Sequence, residues 1–195
     1  MTDQHLIEMK VSREEIHRGD FLHLVCDRVT LPDGEITSRE FVIHPGAVMV
    51  IPLLQTETGA LRVVLERQYR YPVGQVMIEF PAGKLDAGED VWHCAQRELQ
   101  EETGYTAQAW ARAGMMHPVI SYSTEFIDIW FARDLRQGAS KLDQGEFLDV
   151  FTASLPELLQ WCREGRVTDA KTLVAALWLQ NWSSGAWDLD WVNVP

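Results

Sequence analysis

Apolar and polar positions alternate with changing periods along the chain, and these changes predict mixed α and β structure. Short apolar runs between turn residues predict strands at 21–30, 35–43, 47–54, 61–68, 76–80, 107–112, 126–133 and 146–152. Helical periodicity predicts helices at 89–103, 155–164 and 169–182. Strands dominate before the first helix and two helices close the chain. This order predicts a mixed sheet between helices, not a regular doubly wound fold.

Residues 8–44 form a separate block in this pattern, which predicts short strands. A turn of the type Leu-Pro-Asp-Gly at 31–34 separates two strand candidates, which predicts a hairpin. His44-Pro45-Gly46 then interrupts the apolar pattern before the next strand. We therefore predict a small N-terminal antiparallel β subdomain at 1–45 and a main domain at 46–195.

The predicted helix at 89–103 has a clear end and a clear apolar stripe. Gly104 is suited to the left-handed position that follows a helix C-terminus. At about 100° per residue, Val91, Ala95 and Leu99 fall on one side of the helix, which predicts that this side faces the core. The helix should therefore lie with one face against the sheet.

Two glutamates continue this inward stripe instead of facing solvent. Glu98 and Glu102 lie within about 20° of Val91, and Glu101 lies beside them. Clustered carboxylates repel one another and are costly to bury unpaired. Arg97 can pair with one of them but cannot neutralise three. Because oxygen ligands are what hard cations such as Mg²⁺ accept, the pattern predicts a divalent metal site.

Composition narrows the classes of function. The chain has 195 residues and a formal net charge of -12, which argues against nucleic acid or an anionic membrane as partner. It contains no apolar stretch long enough to cross a membrane, and its first residues lack a secretory profile, so we expect a cytoplasmic protein. The three cysteines are widely spaced and indicate neither disulfides nor a zinc site.

The spacing of charged residues and glycines around this helix resembles the signature of the Nudix hydrolases. It comprises Gly83, five residues, Glu89, seven residues, Arg97-Glu98-Leu99, one residue, Glu101-Glu102, one residue and Gly104-Tyr105. Tyr105 replaces the usual aliphatic residue. The resemblance implies an α/β/α sandwich with a mixed sheet, which agrees with the order of predicted elements.

The resemblance also implies which residues act. Glu101, Arg97 and Glu89 are implied in catalysis, with Arg97 orienting a glutamate, Glu89 in the first instance. Mg²⁺ is the implied cofactor, with Mn²⁺ as a substitute. The implied metal ligands are the backbone carbonyl of Ala82 and the carboxylates of Glu98, Glu101 and Glu102.

Two flanking stretches resemble the ADP-ribose pyrophosphatase branch of that family. They are Glu-Arg-Gln-Tyr-Arg-Tyr-Pro-Val-Gly at 66–74 and Glu-Phe-Pro-Ala-Gly at 79–83. By this resemblance, Arg70 and Glu79 contact the substrate. A guanidinium group is suited to bidentate contact with phosphate.

The same branch supplies expectations for the rest of the chain. Arg39 resembles an arginine offered to substrate in a neighbouring subunit, which implies a homodimer formed through exchanged N-terminal sheets. Glu125 matches a loop glutamate proposed as catalytic base, although a glutamate of the signature is an alternative base. Ile120 stands where the branch usually has proline.

The expected activity is Mg²⁺-dependent hydrolysis of ADP-ribose, or a related nucleoside diphosphate sugar, to AMP and a sugar phosphate. One alternative is a Nudix pyrophosphatase for another substrate: a dinucleoside polyphosphate, NADH, FAD or GDP-mannose. The other is a catalytically silent ADP-ribose sensor, which would have an eroded signature and usually an attached DNA-binding segment.

Overall fold

The computed structural model describes residues 2–142 and 144–194; Met1, Asp143 and Pro195 lie outside the described residues. Contacts between residues divide the described chain into two units. The first unit contains the residues up to Gly46 together with Val119–Glu125, and the second contains Ala47–Pro118 together with the residues from Phe126 onward. The division into domains at 1–45 and 46–195 stays a prediction.

The first unit is a three-stranded antiparallel sheet. Its strands are β1 (Met9–Arg18), β2 (His23–Thr30) and β3 (Ile36–Ile43), in that spatial order. The predicted turn at 31–34 joins β2 to β3, with Gly34 N donating to Leu31 O at 2.9 Å. All ten residues of β1 are exposed, so this strand has little cover within the described chain.

The second unit contains an eight-stranded mixed sheet, counted over the described residues. Its central order is β10-β5-β4-β9-β8-β11, with β6 beside β5 and β7 beside β4. The β4–β9 pair is parallel and the others are antiparallel. The strands are β4 (Ala47–Gln55), β5 (Leu61–Arg70), β6 (Gln75–Glu79), β7 (Ala82–Lys84), β8 (Tyr105–Met116), β9 (Ile127–Gln137), β10 (Leu148–Ala153) and β11 (Val192–Asn193).

Helices cover both faces of this sheet. The helices are α1 (Val91–Thr103), α2 (Leu155–Arg163) and α3 (Ala170–Ser183). Because successive strand residues point to opposite faces, β4 divides its side chains between two cores. Met49 and Ile51 pack with residues of α2 and α3, while Val48 and Val50 pack with residues of α1. The predicted α/β/α sandwich is therefore confirmed.

Side-chain capping shifts the helix starts from their predicted positions. The first helix begins at Val91, not at Glu89, because Asp90 caps it and accepts hydrogen bonds from Trp92 N and His93 N at 3.0 and 3.2 Å. The last helix begins at Ala170 for the same reason. Its cap is Asp169, which accepts from Thr172 N at 2.9 Å. The short strands β7 and β11 were not predicted.

The C-terminal tryptophans lie on the second unit. The ring centroids of Trp178 and Trp187 are 4.5 Å apart, and those of Trp182 and Trp191 are 6.2 Å apart. The Arg133 guanidinium lies 4.0 Å from the centroid of Trp191. None of the three helices in the described chain has both the length and the hydrophobicity that a bilayer crossing requires.

Leu99 gives a direct test of the packing between α1 and the sheet. Its side chain is fully buried in the core that includes Val48 and Val50. We expect Leu99→Ala to lower the free energy of unfolding by about 2–5 kcal/mol, since it removes buried contacts and leaves a cavity. Urea denaturation measures this. The exposed neighbour Gln100 is the control: Gln100→Ala should change stability by less than about 0.5 kcal/mol, and equal effects would contradict the packing.

Candidate metal and phosphate site

Helix α1 ends at the predicted residue, Thr103, and Gly104 follows it. Gly104 adopts the left-handed conformation with φ of 75°, and its N–H donates to Gln100 O at 2.9 Å. A Cβ atom at this position would lie 2.8 Å from the carbonyl oxygen of Gly138. Both the backbone angle and the lack of space therefore require glycine here.

The inward position of the glutamates is confirmed. Glu98 is 8% exposed and Glu102 is 4% exposed, although both are carboxylates. Gly83 on β7 makes room for Glu98, because a Cβ atom at position 83 would lie 1.9 Å from Glu98 Oε1. Glu102 accepts a hydrogen bond from Ala82 N at 2.9 Å. The loop before the helix and the acidic face of the helix are thus held together.

Arg97 is the positive charge on one side of this cluster. It binds Glu89 through two hydrogen bonds, from Nε at 2.9 Å and from Nη2 at 2.8 Å, which lower the pKa of Glu89 to about 2. Its Nη1 also donates to Glu98 at 2.7 Å and Glu101 at 3.0 Å, and Nη2 donates to Lys84 O at 3.1 Å. One guanidinium therefore orders three carboxylates.

These hydrogen bonds determine how the glutamates point. Across residues 2–142 and 144–194, no three carboxylate, imidazole or thiolate groups converge on a single point that could hold a metal ion. Glu98 and Glu101 are turned towards Arg97 instead. Each of these glutamates binds Arg97 through one oxygen, so its other oxygen remains available to a cation.

A further carboxylate, Glu66 on β5, was missed from the sequence. It is fully buried, and neither of its oxygens has a hydrogen-bond partner among the described residues. The alternation along β5 could have revealed it: Val63 and Leu65 pack in the core with α2 and α3, so Glu66 points to the opposite face, where α1 lies. A carboxylate on that face has no water to solvate it.

Burial makes this group of carboxylates difficult to ionise. It raises the pKa of Glu102 and of Glu66; the negative charge of Glu66 adds to the rise for Glu102, and that of Glu79 adds to the rise for Glu66. The pKa of Glu98 rises to about 7, because burial outweighs the attraction of Arg97. A divalent cation would favour the ionised forms. The donor set consists of carboxylate oxygens, which suits a hard divalent cation.

Arg70 on β5 and Glu79 on β6 form an ion pair. Arg70 donates to the two oxygens of Glu79 at 2.7 and 2.8 Å, and Lys171 at the start of α3 also binds this carboxylate. Burial opposes ionisation of Glu79, but these hydrogen bonds and charges dominate and lower its pKa. No sequence signal identified Lys171 as a member of this group. The Arg70 side chain remains 40% exposed and can reach an anion.

The other two predicted site residues belong to the first unit. Arg39 on β3 is paired with Glu8, through Nε at 3.0 Å and Nη2 at 2.6 Å. Glu125 ends the segment that accompanies this unit, and its N–H donates to Ser123 Oγ at 3.1 Å. Their predicted roles in substrate binding and catalysis, like those of the residues in the second unit, stay predictions.

Comparison with known proteins agrees with the signature and the fold. A model of the NUDIX domain matches residues 43–179, and a model of the nucleoside diphosphate sugar hydrolase N-terminal domain matches residues 9–42. A solved structure described as an ADP compounds hydrolase superposes with a TM-score of 0.80, covering 92% of this chain and 95% of that one. Its sequence identity of 22% makes this a likeness of fold.

Two bacterial relatives are similar over most of their length. The chain is 39% identical over 181 residues to the methanol dehydrogenase activator of Bacillus methanolicus, covering 89% of this chain and 92% of the relative. It is 34% identical over 177 residues to the ADP-ribose pyrophosphatase of Bacillus subtilis, covering 90% and 94% respectively. The domain match spans most of the chain and carries the complete signature helix, so this protein belongs to the Nudix family.

Proposed function

We propose that this protein is a pyrophosphatase that hydrolyses ADP-ribose, or a related nucleoside diphosphate sugar, to AMP and a sugar phosphate. The observation that carries the proposal is the buried acidic face of α1, where Glu98 and Glu102 lie beside Gly83 and Ala82. The substrate follows from the match to a nucleoside diphosphate sugar hydrolase N-terminal domain and from the relative named ADP-ribose pyrophosphatase.

Nudix hydrolases generally need a divalent metal ion, and we propose Mg²⁺, with Mn²⁺ as a substitute. When bound, the metal neutralises phosphate charge and polarises the phosphoryl oxygens, which favours attack by water. The proposed ligands are the carbonyl of Ala82 and the carboxylates of Glu98, Glu101 and Glu102. This site also lets a protein with a net charge of -12 bind an anionic substrate.

The remaining site residues have positioning and proton-transfer roles in this proposal. Arg97 holds Glu89 and the helix glutamates in place through its shared hydrogen bonds. Arg70 contacts phosphate while Glu79 holds its guanidinium, because a bidentate pair fixes the plane of the donors. Glu125 or Glu101 accepts the proton of the attacking water.

We also propose a homodimer in which Arg39 reaches the substrate of the neighbouring subunit. The exposed β1 strand supports this, since Met9, Val11 and Ile16 on it are large apolar side chains in contact with solvent. We place the protein in the cytoplasm. Its three cysteines are free thiols, in keeping with a reducing compartment.

The relative named methanol dehydrogenase activator does not carry a nucleotide substrate in its name. The activity assay should therefore also test the alternative substrates, which are dinucleoside polyphosphates, NADH, FAD and GDP-mannose. A silent ADP-ribose sensor is disfavoured, since every glutamate of the signature is present.

Replacing Glu102 tests the proposed metal site. Glu102→Gln keeps the shape of the side chain but removes a metal-binding charge. We expect AMP release from ADP-ribose in Mg²⁺ to fall by ~100- to 1000-fold, which corresponds to a loss of about 3–4 kcal/mol of transition-state stabilisation. Chromatographic measurement of AMP against time gives the rate.

Glu57→Gln is the matched control for this substitution. Glu57 lies on the exposed turn between β4 and β5, so the same chemical change there should leave the rate unaltered. Circular dichroism should show both variants folded. A Glu102→Gln enzyme as active as wild type would refute the metal assignment.

The pH dependence of stability without metal gives another test of these carboxylates. The folded-state pKa of Glu98 is about 7, above its ordinary 4.5. The protonated form of Glu98 therefore stabilises the folded protein, and this contribution is fully present below about pH 4.5. That stabilisation is lost as pH rises through about 7. The raised pKa values of Glu66 and Glu102 act in the same direction. The melting temperature of EDTA-treated protein should therefore fall between about pH 5 and pH 8.

Mg²⁺ should reverse this loss, because metal binding requires deprotonated ligands. Differential scanning calorimetry should show that Mg²⁺ raises the melting temperature by several degrees at about pH 8 and little at about pH 5. Glu98→Gln, which removes one of the titrating groups, should flatten the pH dependence. An equal Mg²⁺ effect at both pH values would argue against these carboxylates as ligands.

A further inference from the structure

Glu66 is a buried carboxylate that the roles above do not use. It lies within β5, directly across from Glu79 on β6 in the register of the sheet. Its exposed fraction is 0%, and neither oxygen receives a hydrogen bond from any described residue. Gln68, two residues along on the same face, also has a buried side-chain oxygen without a described partner.

Glu66 points towards the acidic face of α1. The charges that act on it belong to Glu79, Lys171, Arg70 and Glu146. Among the charges that act on Glu102, that of Glu66 has the largest effect. Glu66 thus projects from the face of the sheet that α1 covers, and both carboxylates are almost completely buried.

The neighbouring cations are already engaged. Arg70 and Lys171 both bind Glu79, and Lys171 is also 3.1 Å from Asp169. Neither cation forms an ion pair with Glu66, whose oxygens have no described hydrogen-bond partner.

A proton does not satisfy this arrangement as well as a cation does. A protonated Glu66 would carry an O–H donor, and no described residue offers it an acceptor. An unpaired buried polar group is costly, and an unpaired buried charge is more so. A divalent cation contacts oxygen atoms directly and removes both costs.

We propose that Glu66 is a ligand of the divalent cation site and holds a cation jointly with Glu102. This inference rests on the proposed function, because it extends the metal site on α1 to β5. Glu66 lies outside the signature, so it would give this chain a carboxylate donor from the sheet in addition to those of the helix.

Direct measurement of Mn²⁺ binding tests this assignment without relying on activity. Titration followed by the electron paramagnetic resonance of free Mn²⁺ gives the affinity of the full-length protein. We expect Glu66→Gln to weaken Mn²⁺ binding by ~10- to 100-fold. Glu57→Gln, the same change on an exposed turn, should bind as wild type does.

Stability gives a second readout that a purely structural role would not produce. Without metal, Glu66→Gln should melt at a temperature equal to or above that of wild type, because the substitution removes an uncompensated buried charge. The rise in melting temperature on adding Mn²⁺ should shrink. A structural residue would instead lower the metal-free melting temperature and leave the Mn²⁺ increment unchanged.

Unchanged Mn²⁺ affinity in Glu66→Gln would overturn the assignment. If that variant does not fold, Glu66→Asp decides, since it keeps the charge but shortens the reach: weaker Mn²⁺ binding supports the assignment, and wild-type affinity overturns it. The substrate proposal has a separate test: it would be wrong if wild-type protein bound Mn²⁺ through Glu66 but released no AMP from ADP-ribose.

Discussion

The burial of carboxylates along one face of α1 is the constraint to which the rest of the second unit conforms. Glu98 and Glu102 lie on the same side of the helix as Leu99, so the contacts that fix the helix on the sheet also carry the acids inward. Isolated, these charges would destabilise the fold. The loop, the neighbouring arginine and the strand beneath are all arranged around them.

Compensation for this negative charge is uneven. Arg97 serves Glu89, Glu98 and Glu101 on one side of the cluster, while Arg70 and Lys171 serve Glu79 on the other. Neither Glu66 nor Glu102 forms an ion pair with Arg97, Arg70 or Lys171. The least compensated carboxylates are therefore also among the most buried, where a bound ion would have a strong interaction with its ligands.

Local features were predictable from the sequence, while features that depend on pairing between distant segments were not. The stop at Gly104 and the inward acids follow from helical spacing within one segment. Side chains competing for the first N–H groups, as Asp90 does, shift helix starts by one or two residues. Glu66 was missed because an acid in a strand normally faces solvent, and only a sheet covered on both faces buries it. The Arg70–Glu79 pair joins two strands in whose register Arg70 lies opposite Gln75 and Glu79 opposite Glu66, so strand pairing alone would not have indicated it.

A change at Gly83 would affect the proposed metal site more than it would affect folding. The atoms that a new side chain would meet there belong to the flexible end of Glu98, not to the backbone, so the carboxylate would move aside while the helix kept its place. Every single-base change in a glycine codon that gives another amino acid adds at least one carbon atom. The smallest such replacement, alanine, would therefore give a folded protein in which the Glu98 carboxylate is displaced.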